Sequence, residues 1–285
     1  MIKQNFATST LIFWISILII FPGQTKAQDK LKTTITSMIE RWLPGRSSEF
    51  VIEEDNANPG TDHFTLQSYA GKIKISGNSP LAVASGFNYY LKHYCHLDIS
   101  IQGNDITPPQ IFPPVKEKVF KQTPFEIRYF LNYCTFGYTM AWWDWQRWEK
   151  LIDWMAMNGI NMPLAITGQE AVWQQLLQEF HFSGKEISDF IAGPAFLPWG
   201  WMGNIDGMAG PLPGNWIREH VTLEKKILER ERSFGMKPVL QGFTGHMPKS
   251  TRTRYPGVKI IQTTDWAGMP GTYVLDPKDP LFEKI

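Results

Sequence analysis

Cysteine is scarce, with only two in 285 residues, so no disulfide framework of the kind that staples small secreted folds is available. Cys95 and Cys134 fall in what read as different domains, which favours two free thiols over a bridge. An excess of charge of either sign is also missing: 28 basic residues stand against 27 acidic ones, a formal net charge of +1. The basic residues are dispersed and form no arginine-rich stripe, so neither nucleic acid nor another polyanion is expected as a partner. No glycine-rich phosphate loop of the required spacing is present. "HYCH" places His93, Cys95 and His96 close together, yet no second cluster supplies the remaining ligands of a tetrahedral metal site. His246 in "TGHMP" stands alone and reads as structural. No metal and no cofactor are expected.

Long apolar runs are limited to "LIFWISILIIF", Leu11 to Phe21. It follows Lys3, is shorter than the about 20 residues of a spanning helix, is broken by "PGQTK" and leads to small residues ending at Ala27. That is the form of a secretory signal peptide. Residues 1–27 are therefore expected to be removed, the product to be secreted or periplasmic, and any membrane contact to be through this segment only. No Cys sits at the cleavage point, so lipidation is not indicated.

Aromatic residues, by contrast, are abundant: they make up 14% of the chain, and 12 residues are Trp. Buried indole needs a partner for its N–H, which makes Trp a poor filler. A neutral, secreted, Trp-rich chain suits stacking against the apolar faces of sugar rings.

The order of elements divides the chain. "KLKTTITSMIERWL", 30–43, has helical spacing of Leu31, Ile35, Met38, Ile39 and Trp42. "EFVIEE", "HFTLQSY" and "GKIKISG" alternate as strands. A helix follows with Ser79 as its cap and Pro80 in its first turn, and "LDISIQG" reads as a closing strand. This makes a small mixed α/β domain over 28–111. Residues 112–124, rich in Pro, read as a linker with some strand character. From Phe125 onward strand and helix alternate: "FEIRYFLNY", "WDWQRWEKLIDWMAMNG", "INMPLAIT", "GQEAVWQQLLQEF", "NWIREHVTLEKKILERERSFG" and "MKPVLQGF". Gly159 and Gly235 are expected as left-handed helix stops. The βα order points to a parallel sheet, and 125–285 is well short of the about 250 residues of a (β/α)8 barrel. The expected fold is α/β, a small mixed domain followed by the first part of a truncated TIM-like barrel.

Within "NYCTFGYTMAWWDWQRW", Trp145, Trp148, Ile152 and Met155 continue one helical stripe and read as core. Asn132 and Cys134, two apart at the end of the first barrel strand, are expected to point to one side, at the strand end where barrel active sites form. Spacing alone equally allows a loop cap and a buried thiol. Glu170 in "TGQEAVW" sits suitably for a catalytic carboxylate, but it opens a helix, where an acidic side chain favours the dipole. It is read as structural.

"RYFLNYCTFGYTMAWWDWQRWEKLIDWMAMNGINMPLAITGQEAVW", "GPAFLPWGWMGN", "GPLPGNWI" and "RSFGMKPVLQGFTGHMP", in this order between Arg128 and about Pro280, closely resemble the alpha-N-acetylglucosaminidases of glycoside hydrolase family 89. The resemblance implies a retaining exo-glycosidase acting on terminal α-linked N-acetylglucosamine. Its two carboxyl groups, about 5 to 5.5 Å apart in a retaining enzyme, are implied to lie on later strands than these. It also implies that Asn132, Cys134, Trp199, Asn204 and Trp266 line the pocket for the terminal sugar. Met208 stands where the family usually has Trp, a change in the grip on an extended aglycone. The competing expectation is a secreted carbohydrate-binding protein without hydrolytic activity.

Overall fold

The computed structural model describes residues 22–55, 60–102 and 106–285, with side chains from 29 onward. The apolar run 11–21 lies outside them. Among the described residues no helix is long and apolar enough to cross a membrane.

Helix α1 (Pro22–Trp42) starts earlier than periodicity suggests, because a proline is tolerated in a helix's first turn. Strands β1 (Phe50–Glu54), β2 (His63–Tyr69) and β3 (Lys72–Gly77) follow, then α2 (Pro80–Tyr94). The Ser79 hydroxyl caps α2 by accepting from Ala82 N–H at 3.0 Å. Ile35, Met38 and Ile39 of α1 and Phe87, Tyr90 and Leu91 of α2 are fully buried beside Leu66 and Ile75 of the sheet. At about 1.5 to 3 kcal/mol per buried side chain, these contacts drive the folding of this unit.

The 112–124 segment, read as a linker with some strand character, carries β4 (Val119–Gln122), which pairs antiparallel with β2 and completes a sheet of order β1-β3-β2-β4. Its four residues contain no proline, so every N–H can enter the ladder, while Phe112 and Val115 upstream are buried in the core. One expectation fails: among the described residues of "LDISIQG", 97–102, there is no strand. Only Ile99 of its alternation is buried, whereas Ile101 is 39% exposed, and the edge beside β2 is occupied by β4.

The second half opens with β5 (Tyr129–Phe130), the single turn α3 (Tyr133–Phe136) and α4 (Trp145–Met157). Asp144 caps α4, its carboxylate accepting from Arg147 N–H at 2.9 Å. Then come β6 (Met162–Pro163), α5 (Gln169–Glu179), α6 (Gly184–Phe190), α7 (Leu197–Trp201) and α8 (Trp216–Ser233). β5 and β6 are parallel, and Leu164 and Val239 form the next parallel bridge. Val239 N–H donates to Pro163 O at 2.8 Å, and Ala165 N–H donates to Val239 O at 2.9 Å. The expected three parallel segments are present, far shorter than their apolar stretches, and they do not close into a barrel. Gly159 (φ 73°) and Gly235 (φ 81°) terminate α4 and α8 in the left-handed conformation.

One further sheet was not expected: β7 (His246–Met247), β8 (Ile260–Gln262) and β9 (Tyr273–Leu275), antiparallel in the order β7-β9-β8.

Candidate functional site

The ends of the parallel segments carry the loops on which the five predicted residues lie. Asn132 and Cys134 are not side by side on a strand. β5 ends at Phe130, and Asn132 (φ −78°, ψ 140°) turns the chain into α3, its amide oxygen accepting from Cys134 N–H at 2.8 Å. An asparagine that caps a helix redirects the chain, which removes the two-residue alternation on which the expectation rested. Asn132 is exposed, and with its oxygen engaged its NH2 group remains to donate; Cys134 is a half-buried free thiol.

Trp199 lies in α7, half-buried, and α7 packs against α3. The approach is close: a Cβ on Gly137 would stand 2.8 Å from Cζ3 of Trp199 and 2.6 Å from the Ala195 carbonyl. Asn204 N–H donates to Trp199 O at 2.9 Å across the turn that follows. Asn132, Cys134, Trp199 and Asn204 thus occupy one set of packed loops. Trp266 is at the tip of the β8–β9 hairpin, 39% exposed, exchanging both backbone hydrogen bonds with Met269. Ala267 (φ 50°) and Gly268 (φ 79°) give that tip the twist a tight hairpin needs. The hairpin reaches the other loops through Thr272, whose hydroxyl donates to Gly203 O at 2.5 Å.

A cleft of about 890 Å³ opens beside this hairpin, between α6 and the 205–208 segment on one side and the β7-β9-β8 sheet on the other. Asp189, Asp206, Met208, Lys249, Arg252 and Tyr273 line it. None of the five predicted residues does. Met208, expected from the resemblance to depart from the family pattern, lines this cleft.

Sequence reasoning missed one feature. His246 is not alone: its Nε2 lies 2.6 Å from Asp206 Oδ1, and its buried ring sits between Trp173 and Phe190. The two residues are forty apart in sequence, and only the proximity of Asp206 to the predicted Asn204 hinted at the partnership.

Three glutamates on α5 and α8 with enclosed carboxyl groups form a separate feature: Glu170 and Glu231 are buried, and Glu224 is half-buried with buried oxygens. Glu170 is in the first turn of α5, as expected, but it is 1% exposed and its Oε1 accepts from Trp216 Nε1–H at 2.8 Å. Burial raises its carboxyl above the usual range, against the pull of its own backbone amide, His220 and Trp216. Both Glu224 oxygens are buried without a hydrogen-bond partner. Burial, with Glu231 and Glu170 nearby, pushes Glu224 up to about 9, and burial pushes Glu231 up to about 8 against Arg232. Enclosure of this kind favours the neutral form of each carboxyl. Among the described residues no group of three or more His, Cys, Asp and Glu could hold a metal ion.

Comparison with known proteins bears on both halves. A family model described as the alpha-N-acetylglucosaminidase (NAGLU) TIM-barrel domain matches residues 128–285, and one for the N-terminal domain of the same proteins matches 33–114. The chain is 37% identical over 260 residues to alpha-N-acetylglucosaminidase of Homo sapiens, covering 88% of this chain and 35% of that one. Two solved structures from Clostridium perfringens superpose with a TM-score of 0.87 at 36% identity, covering 92% of this chain and 31% of theirs. One is a family 89 glycoside hydrolase in complex with 2-acetamido-1,2-dideoxynojirimycin. The other is a variant with two glutamates changed to glutamine, in complex with its substrate GlcNAc-alpha-1,4-galactose. The chain spans about a third of the length of these relatives.

Proposed function

Because the chain belongs to the alpha-N-acetylglucosaminidase family, glycoside hydrolase family 89, we propose that the protein it comes from removes terminal α-linked N-acetylglucosamine from glycans, with retention of configuration. One observation carries this reading: the match runs through both the N-terminal unit and the parallel segments, to structures one of which holds a GlcNAc-α-linked substrate. The loops described above supply binding groups only. Asn132 donates an amide N–H to a sugar hydroxyl, Asn204 offers a second amide, and Trp199 and Trp266 give the ring faces to stack on. Cys134 is a half-buried thiol beside Asn132 in the same loops.

Retention needs one carboxylic acid and one carboxylate about 5 to 5.5 Å apart. Glu170, Glu224 and Glu231 are enclosed and do not serve. In this reading the pair lies on strands that follow Ile285, and residues 1–285 alone hydrolyse nothing. Residues 1–27 act as a signal peptide and direct the product to the periplasm or the outside of the cell.

The test is to isolate the natural secreted product, determine its intact mass and assay it with 4-nitrophenyl α-N-acetylglucosaminide. A mass well above that of this chain together with hydrolysis supports the reading. Saturable binding of N-acetylglucosamine without hydrolysis would replace it by a carbohydrate-binding role, and absence of both would overturn it.

A further inference from the structure

We propose that the Asp206–His246 pair is a clasp that sets the distance between the Asn204 turn and the hairpin carrying Trp266, making both positioning residues for the terminal sugar. The inference rests on reading Asn204 and Trp266 as sugar contacts.

His246 opens β7, which pairs with β9 through His246 and Val274. The imidazole is thereby part of the sheet whose hairpin ends in Trp266. Asp206 lies two residues past Asn204, on the turn that follows α7. The 2.6 Å contact joins these two units directly. A second link runs parallel to it, from the Thr272 hydroxyl to the Gly203 carbonyl, and a Cβ built on Gly203 would lie 3.8 Å from the Cβ of His246.

Neither partner can drift. The His246 ring is buried between Trp173 at 5.9 Å and Phe190 at 4.7 Å. The Asp206 backbone is held from the far side, where Gly207 N–H donates to Phe190 O at 2.9 Å and Gly193 N–H donates to Met208 O at 2.8 Å. The His246 ring is buried while Asp206 is 28% exposed at the edge of the cleft, and a buried ring nitrogen that loses its hydrogen-bond partner is costly. A sugar pocket assembled from two separate loops needs such a fixed spacing, since a hydrogen bond weakens steeply once donor and acceptor separate beyond about 3.2 Å.

The test uses the full-length protein and the variants Asp206→Asn, Asp206→Glu and His246→Gln. Hydrogen exchange is followed in 199–206, 262–272 and, as a reference, α8. The clasp predicts faster exchange in the first two segments together with no change in α8 for Asp206→Asn and His246→Gln, partly restored in Asp206→Glu. Faster exchange everywhere, or in one segment only, would overturn it. In parallel, KM for 4-nitrophenyl α-N-acetylglucosaminide, or the dissociation constant of N-acetylglucosamine by tryptophan fluorescence, is expected to rise about tenfold in Asp206→Asn, with kcat lowered less than threefold. An equal fall in kcat and kcat/KM at constant KM would also contradict it. A wild-type protein that neither binds nor hydrolyses the sugar defeats the functional reading alone, because the exchange data still decide the clasp.

Discussion

Arg41 of α1 grips Asp153 of α4 through two parallel bonds, Nε to Oδ2 and Nη2 to Oδ1, both 2.7 Å. Asp153 is fully buried, and Arg230 of α8 approaches the same carboxylate at 3.4 Å. One side chain therefore ties the N-terminal unit to two helices of the parallel unit. Burial pushes its carboxyl up to about 7, while Arg41 pulls it down. Arg41→Ala is expected to lower stability by about 1 to 3 kcal/mol in denaturant unfolding, because it removes two hydrogen bonds from a buried carboxylate and leaves it only the 3.4 Å contact with Arg230. Replacing both partners, as in Arg41→Met with Asp153→Leu, is expected to cost much less. An equal cost for single and double replacements would contradict this account.

Glu224 and Glu231 make stability depend on pH. The native protein holds their protons up to about 9 and about 8, whereas the unfolded chain releases them near about 4.3. Between those limits the native state binds more protons, so stability is greatest at the acid side and falls as pH rises. Glu224→Gln removes one such group and should flatten the decline by up to about 1.4 kcal/mol per pH unit. Unfolding curves at pH 5, 7 and 9 measure it, and an unchanged slope would count against the buried protonated state.

Glu170 supports Trp216 and is expected to take no part in turnover. Glu170→Ala leaves the Trp216 indole N–H buried without its acceptor and is expected to cost about 1 to 3 kcal/mol. Glu170→Gln keeps an acceptor oxygen and should cost less. In both variants of the full-length protein kcat stays within a few-fold of wild type; a drop of several orders of magnitude at unchanged melting temperature would make Glu170 catalytic.

Gly271 permits the hairpin to close. A Cβ there would lie 1.9 Å from the Thr263 carbonyl, and Gly271 N–H donates to Asp265 at 3.0 Å. Gly271→Ala must push the two arms apart and displace Trp266. A loss of about 2 to 4 kcal/mol is expected, with a shifted Trp emission on the same variant. Wild-type stability would show that the arms yield easily.

The N-terminal helices and strands were legible because their apolar positions repeat at 3.6 or 2 residues, and Ser79, Gly159 and Gly235 mark boundaries through local chemistry alone. β4 was half-hidden: its four residues say nothing of the edge of β2 that receives them. "LDISIQG" had the alternation of a strand without an edge to join. Asn132 shows the limit for the site. Its spacing to Cys134 suits a strand, but its side chain caps α3, and both readings are written in the same letters.

The sequence by itself determined the class of the fold, the longer helices and the βα order of the parallel segments and, through long motifs, the family. Those depend on local periodicity, turn residues and the identity of contiguous stretches. Only the tertiary structure decided that β4 joins the first sheet, that His246 finds Asp206, and that Glu170, Glu224 and Glu231 lose their contact with water. Each of these turns on groups far apart in the chain, where burial and a matching partner set the energy.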